Sequence, residues 1–260
     1  MLLHGFPQTH LMWRHVATEL AATHTVIVPD LRAYGASDKP DPLTPDAHSK
    51  QTMAADIVSA AGALGFSRFA LIGHDRGALV SVRAGLDHPD TITHLGILDV
   101  LPTLDMWDVL HGVDAAVAWH LYLMTQPAGL SERMIAATAD EFFGSFLDAW
   151  GADDTVVPAD IRAAYLDASR TAVPSIVADY RASAGIDLDH DRADRAAGRK
   201  LTMPVASIAQ DWGGQLGFDP KQLWQAWAPN FRFHPITAGH FMAESHPHDI
   251  TDFIHDLMTR

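Results

Sequence analysis

The chain has 260 residues, of which 48% are hydrophobic and 19% charged, so it can bury the core of one large domain and is not disordered. Its 32 acidic residues against 18 basic ones give a net charge of −14, which repels phosphate backbones and anionic membranes and argues against a nucleic-acid partner. It has no cysteine, which excludes disulfides, thiolate metal sites and a cysteine nucleophile.

Strand-like apolar runs followed by turn residues recur along the chain, with alanine-rich segments of helical spacing, such as 51–64 and 77–86, between most of them. The alternation predicts an α/β fold with a mostly parallel sheet flanked by helices, because fully buried parallel strands read as continuous apolar runs. The predicted strands are residues 1–5, 25–30, 68–73, 95–100, 203–209 and 231–236.

One long region interrupts this alternation. Residues 104–200 contain no convincing buried strand and look helical, with breaks expected at Pro127, Pro158 and Pro174. We predict a helical cap inserted into a single core, so that residues 1–103 and 201–260 form the first and second parts of that core.

Targeting signals are absent from the sequence as it stands. The first residues lack a basic region before a long apolar one, and no apolar run approaches the roughly 18 residues of a membrane span. We therefore expect a cytoplasmic protein that has no membrane partner.

A sharp turn is predicted after residues 68–73. Gly73 and Gly77 flank Asp75 in the order Gly-x-Asp-x-Gly, between a strand and a helix, which is the context that places a nucleophile at the top of an α/β sheet. Asp75 is the candidate nucleophile. The alternative is that Asp75 only caps the following helix.

Four further positions complete a candidate catalytic set. The backbone N–H groups of Phe6, in the His-Gly-Phe-Pro segment, and of Arg76 are suited to an oxyanion hole. His240 follows the last predicted strand, where a base is needed, and Asp99 ends residues 95–100, where it can orient the imidazole. The alternatives are a plain turn at Phe6, a surface histidine and a loop-initiating aspartate.

The chain resembles the α/β-hydrolases with an aspartate nucleophile, above all the haloacetate dehalogenases and the soluble epoxide hydrolases. The resemblance covers essentially the whole chain and implies that Asp75 is the nucleophile, His240 the base and Asp99 its acidic partner. The segments that carry it are residues 4–13, 29–40, 73–78, 86–103, 119–132, 179–191 and 238–241.

The resemblance also implies roles for residues of the cap. His120 and Tyr180 match the positions that donate hydrogen bonds to a departing halide or to the oxygen of an opening epoxide, unless both are simply core residues. Trp150 resembles a tryptophan that lines the substrate cavity, and Tyr122 is a further candidate to face that cavity.

Two positions depart from the haloacetate dehalogenase pattern. Leu121 stands where those enzymes have a tryptophan that completes the halide site, and Leu79 replaces the second of two arginines that hold the substrate carboxylate. Arg76, the first arginine, is retained. Each lost hydrogen bond to a charged group is worth about 1.5–3 kcal/mol, and two leucines suit an apolar substrate.

Members of this family have an antiparallel pair of strands before the segment that begins at Leu2, and this chain lacks it. Either the gene product begins further upstream, which we favour, or the sheet has an exposed edge at residues 25–30 that invites pairing with another chain. A homodimer is possible by analogy with the family.

The sequence thus predicts a hydrolase that opens a bond at saturated carbon through an ester of Asp75, which water activated by His240 then releases. Its partner is a small-molecule substrate, for which we favour an epoxide over a haloacid. An acyl hydrolase and a catalytically idle binding protein are weaker alternatives. No cofactor and no metal site are predicted.

Overall fold

The computed structural model describes residues 1–44, 46–151, 155–211, 214 and 216–260. Within these residues one sheet forms, in which every neighbouring pair of strands is parallel and the spatial order is β1-β2-β3-β4-β5. Its strands are β1 (Leu2–Leu3), β2 (Phe69–His74), β3 (Ile92–Leu98), β4 (Val205–Ala209) and β5 (Phe231–Pro235). The predicted α/β fold with a parallel sheet is confirmed.

Helices connect the strands. They are α1 (Arg14–Leu20), α2 (Lys50–Ala63), α3 (Arg76–Asp87), α4 (Thr103–Val109), α5 (Trp119–Met124), α6 (Leu130–Ala137), α7 (Ala139–Trp150), α8 (Ala159–Ser183), α9 (Ile186–Ala196), α10 (Pro220–Gln225), α11 (Met242–Ser245) and α12 (Pro247–Met258). Two 3-10 helices, His10–Trp13 and Val113–Ala118, add to them. No described helix is both long and apolar enough to cross a membrane.

The sheet buries apolar side chains on both faces. Successive residues of a strand point to opposite faces, so Leu71 packs with α2 and α3 while Ile72 packs with α1 and α12. All the strands are parallel, so their carboxyl ends lie along the same edge of the sheet. Side chains that follow β2, β3 and β5 are thereby brought together at this edge.

Residues 25–30, predicted as a strand, do not form one. The backbone N–H of Leu2 donates to the carbonyl oxygen of Ile27 at 2.9 Å, and Val26 and Val28 are only partly buried. The neighbouring strand β1 has just two residues, which also pair with β2 on their other side. So short a neighbour cannot support the repeated pairing that a strand requires.

The segment between β3 and β4 contains α4–α9 and no strand among its described residues. We refer to residues 104–200 as the predicted cap. The break expected at Pro174 is wrong, because Pro174 lies inside α8 without ending it. An interior proline costs a helix about 3 kcal/mol or more, and here buried neighbours such as Val173 and Ile176 pack α8 against the core.

Candidate active site

The turn between β2 and α3 holds Asp75 in a strained conformation. Its φ is 46° and its ψ is −116°, a region that side-chain-bearing residues rarely adopt. A Cβ atom on Gly73 would lie 2.4 Å from the carbonyl oxygen of Gly77, and one on Gly77 would lie 2.4 Å from that of His4. Only glycine fits at either position, so the turn is tight enough to raise Asp75 above the end of the sheet.

The carboxylate of Asp75 is held by the loop after β1. The backbone N–H of Phe6 donates to Asp75 Oδ1 at 2.8 Å. Asp75 makes no capping hydrogen bond to α3 in the described structure, so the helix-cap alternative is not what is observed. Arg76 is the first residue of α3, and the first N–H groups of a helix have no partner within it. The two backbone groups predicted for an oxyanion hole therefore adjoin Asp75.

His240 and Asp99 form a buried pair at the same edge. His240 Nδ1 lies 2.7 Å from Asp99 Oδ2, and the backbone N–H and side-chain amide of Gln210 donate to Asp99 at 3.0 and 2.7 Å. The other imidazole nitrogen, Nε2, is buried and finds no hydrogen-bond partner in the part of the chain that is described. One nitrogen is thus fixed by a carboxylate while the other remains available to a water molecule.

The charges around this pair determine its protonation. Burial lowers the pKa of His240, but the hydrogen bond and charge of Asp99, with the charge of Asp75, raise that pKa above its ordinary value. Burial raises the pKa of Asp99, yet bonds from His240 and Gln210 bring it below the usual value. Asp99 is therefore a carboxylate that stabilises the protonated imidazole.

His74 is a residue of this site that the sequence analysis missed. Its Nε2 lies 2.9 Å from the carbonyl oxygen of His240, and the two ring centroids are 4.4 Å apart. Burial, reinforced by the charge of His240, lowers the pKa of His74 to about 3, so the ring is neutral and donates to that carbonyl. The position of His74 directly before Asp75 in the sequence was the signal that could have identified it.

Two side chains of the predicted cap lie above this edge. The rings of His120 and Tyr180 are 5.7 Å apart, and both contact Phe6, at centroid distances of 5.9 and 5.3 Å. His120 Nδ1 and the Tyr180 hydroxyl are buried and have no hydrogen-bond partner among the described residues. Burial lowers the pKa of His120 to about 3, and burial with the charge of Asp75 raises the pKa of Tyr180. Both groups are neutral hydrogen-bond donors.

The guanidinium group of Arg76, which was predicted to hold a substrate carboxylate, is paired within the protein. Its Nε donates to Asp179 Oδ2 at 2.8 Å, one terminal nitrogen donates to Ser183 Oγ at 2.7 Å, and the group stacks 4.2 Å from the Tyr180 ring. Asp179 also pairs with Lys50. Asp179 was missed by the sequence analysis, although it directly precedes Tyr180.

A second buried carboxylate links the loop of Phe6 to the helix that follows His240. Glu244, in α11, accepts hydrogen bonds from Gln8 Nε2 at 2.6 Å and from the hydroxyl of Tyr165 in α8 at 2.7 Å. The sequence analysis did not identify it either. Through Glu244, two core loops and the predicted cap are held together.

Several of these residues line a cavity of about 110 Å³. They are Asp75, Asp99, His120, Trp150 and His240, and the remaining lining is largely apolar, with Leu121 among it. No lysine or arginine occurs among the described residues that line it. The cavity thus offers carboxylates and two imidazoles inside apolar walls, and Tyr180 lies beside His120.

The sequence is similar to known proteins throughout its length. A profile of the alpha/beta hydrolase fold matches residues 1–123. The chain is 35% identical to a fluoroacetate dehalogenase of a Burkholderia species, over 100% of this chain and 86% of that protein. It is 30% identical to a soluble epoxide hydrolase of a Corynebacterium species, over 97% of this chain and 87% of that protein. The chain belongs to the α/β-hydrolase family.

The structure of this α/β-hydrolase is also close to a solved one. A Pseudomonas aeruginosa protein, provisionally named an epoxide hydrolase, superposes with a TM-score of 0.94 at 37% identity, covering 99% of this chain and 87% of that one. The chain is therefore an enzyme related to both dehalogenases and epoxide hydrolases, and the resemblance inferred from its sequence is confirmed.

Two residues predicted to line the substrate cavity of the hydrolase lie elsewhere. Tyr122 is 42% exposed and its hydroxyl donates to the carbonyl oxygen of Leu110, because one step along α5 turns the side chain about 100° away from Leu121. Leu79 lines a separate small cavity beside Lys50 and Asp187. Trp150 lies as expected against the cavity, with its ring 4.9 Å from that of His240.

Proposed function

We propose that this hydrolase converts epoxides to vicinal diols through an ester of Asp75. The observation that carries the proposal is that the carboxylate of Asp75 shares one apolar cavity with His120 and His240, while Tyr180, whose hydroxyl has no bond among the described residues, lies beside His120. Together with the backbone N–H groups of Phe6 and Arg76, these groups correspond to the four tasks of such a reaction, which are nucleophilic attack, leaving-group protonation, water activation and oxyanion stabilisation.

In the first step, an oxygen of Asp75 attacks one epoxide carbon and the bond from that carbon to the ring oxygen breaks. Tyr180 and His120 donate hydrogen bonds to the developing alkoxide, and Tyr180 passes its proton to it. Burial raises the pKa of Tyr180, so the phenol stays protonated until a strongly basic alkoxide appears. The product is a hydroxyalkyl ester of Asp75.

In the second step, His240 removes a proton from water, and the resulting hydroxide attacks Cγ of the esterified Asp75. The Phe6 and Arg76 amides stabilise the oxyanion, and collapse of this intermediate releases the diol with the Asp75 carboxylate restored. Asp99 stabilises the imidazolium formed meanwhile. The substrate oxygen expelled in this collapse takes the proton of the new Asp75 carboxyl group. The phenolate of Tyr180 regains its proton from the imidazolium through solvent, so one water is consumed for each epoxide.

The lining of the cavity favours an epoxide over a haloacid. A haloacid presents a carboxylate, which costs several kcal/mol to bury without a cation. No described lysine or arginine lines the cavity, and Arg76 is already paired with Asp179. A neutral epoxide has no such requirement, and its ring strain assists the departure of the oxygen.

Dehalogenation of a small haloacid is the second candidate function. Its specific support is the 35% identity with the fluoroacetate dehalogenase, against 30% with the soluble epoxide hydrolase. The cap donors His120 and Tyr180 are as compatible with a departing halide as with an epoxide oxygen. The chemistry at Asp75 and His240 is the same in both cases.

The deciding experiment offers the purified enzyme styrene oxide, chloroacetate and fluoroacetate in parallel, with Asp75→Ala as the inactive control. We expect diol formation to exceed halide release, and faster halide release would instead establish the dehalogenase. A single turnover in heavy-oxygen water tests separately whether the ester forms. If water attacks Cγ of the ester, the label enters the carboxylate of Asp75. A serine-type esterase or an idle binding protein would leave Asp75 unlabelled.

A further inference from the structure

A buried hydroxyl group lies in the cavity without a bonding partner. Ser207, in the middle of β4, is 0% exposed and lines the cavity, and within the described residues its Oγ makes no hydrogen bond. Leaving a buried polar group unsatisfied costs the folded state free energy. Most buried hydroxyl groups in proteins are bonded, so this one calls for an explanation.

The strand register separates Ser207 from Asp75. Ser207 and Gly73 both pair with Ile97, so Ser207 lies two strands from β2 and two residue positions below Asp75. Strand spacing and rise put the two Cα atoms roughly 12 Å apart. This distance leaves room for a ring-sized apolar body between the two side chains.

Most other side chains that line the cavity are apolar or already bonded. Val100, Phe218 and Phe233 are apolar, the indole N–H of Trp224 donates to the carbonyl oxygen of Val100 at 3.2 Å, and the carboxylate of Asp99 is bonded to Gln210 and His240. A buried water usually needs two to four polar partners, which these side chains do not provide. A polar group carried on an apolar ligand satisfies Ser207 better.

We infer that Ser207 anchors the far end of the substrate, and that the preferred epoxides have an apolar body ending in a neutral hydroxyl, ether or carbonyl group. The inference rests on the proposed function. The anchored group is neutral because no described lysine or arginine lines the cavity, while Asp75 and Asp99 already contribute negative charge. An apolar pocket with one well-placed polar group fixes the ligand's orientation, which would present the epoxide carbon to Asp75.

The test uses two styrene oxides of equal size, one with a para hydroxymethyl group and one with a para ethyl group. We expect the ratio of their kcat/KM values, hydroxymethyl over ethyl, to fall about fivefold to tenfold in Ser207→Ala. Ser131→Ala is the matched control, because Ser131 is equally buried but donates to the carbonyl oxygen of Leu123 at 2.6 Å outside the cavity. An unchanged ratio in Ser207→Ala overturns the inference.

Thermal unfolding provides a second readout. Ser207 has no described bond to lose, so Ser207→Ala should leave the Tm unchanged or raise it, whereas Ser131→Ala should lower it by about 2–4 °C. A decrease of similar size in Ser207→Ala, with an unchanged substrate ratio, would show that the hydroxyl serves the fold through a water molecule and would overturn the inference.

Calorimetry with the two corresponding diols separates this inference from the proposed function. If neither epoxide is turned over but the hydroxymethyl diol binds more tightly in wild type than in Ser207→Ala, the proposed function fails and the anchor stands. If the epoxides are turned over and the diols bind alike in both proteins, the anchor fails and the function stands. If neither diol binds, the anchor fails as well.

Discussion

The carboxylates on the sheet side of the cavity and the donors on the cap side differ in their hydrogen bonding. On the sheet side, Asp75 accepts a hydrogen bond from Phe6, and Asp99 accepts bonds from Gln210 and contacts His240. On the side of the predicted cap, His120 Nδ1 and the Tyr180 hydroxyl have no such bonds within the described structure. The two carboxylates of the sheet side are therefore bonded in the resting enzyme, and these two donors of the cap side are not.

This difference follows from when each charge appears in the proposed reaction. Asp75 and Asp99 are charged before the substrate arrives, so the fold must stabilise them permanently. The leaving oxygen becomes charged only as its bond breaks. Donors that are already oriented but unbonded therefore stabilise the transition state of this step more than they stabilise the resting enzyme. The contrast predicts that sheet-side and cap-side substitutions slow different steps.

The largest effect is expected at the proposed nucleophile. Asp75→Ala removes the only group that forms the ester, so diol formation should fall at least about a thousandfold. Alanine keeps the strained φ of 46° at position 75 and loses the hydrogen bond from Phe6, so the Tm is needed to show that the variant is folded. Steady-state rates together with Tm values test this, and activity within tenfold of wild type would contradict the scheme.

Substitution of the base should separate the two steps. In His240→Gln the ester forms but has no base to release it, so we expect an adduct on Asp75 and a loss of turnover of about a thousandfold or more. Intact-protein mass spectrometry after mixing with styrene oxide detects the adduct. If no adduct accumulates although the variant is folded and the substrate is consumed by wild type, the sequence of steps is wrong.

Substitution on the cap side should slow only the first step. Tyr180→Phe removes one donor to the alkoxide, which is worth about tenfold to a hundredfold in the rate of ester formation. Tyr122→Phe is the matched control, because Tyr122 is a half-exposed tyrosine of the same predicted cap whose hydroxyl donates to Leu110. Rapid-quench measurement of both steps distinguishes them, and a Tyr180→Phe variant slow only in ester release would reverse our assignment.

The sheet side of this comparison was far easier to predict from sequence. The predicted helix 51–64 is observed as Lys50–Ala63, and the apolar runs that end before Asp75 and Asp99 form β2 and β3. Such elements depend on local patterns of buried residues, and parallel strands then bring their carboxyl ends together. Asp75, Asp99 and His240 meet for that reason.

The cap side depends on contacts that no local pattern encodes. Arg76 bonds to Asp179 across 103 positions of sequence, so nothing near Arg76 indicated that its charge is already paired. Tyr122 differs from Leu121 by one helical step, and only the packing of α5 decides which of them faces the cavity. Leu79, likewise, faces a neighbouring cavity beside Lys50.

The smallest expected effect concerns pH and couples the two sides through Asp75. Burial lowers the pKa of His240, but Asp99 and the negative charge of Asp75 raise it above its ordinary value in the resting enzyme. Ester formation removes the charge of Asp75, so the pKa of His240 should fall in the intermediate. Ester release requires the neutral imidazole and should therefore speed up as pH rises through this lower pKa.

Two measurements test this coupling. NMR titration gives the pKa of His240 in the resting enzyme, and single turnovers give the pH profile of ester release. A midpoint of that profile equal to or above the resting pKa would contradict the coupling. If the coupling holds, a larger fraction of His240 is neutral, and so able to accept a proton from water, once the ester has formed.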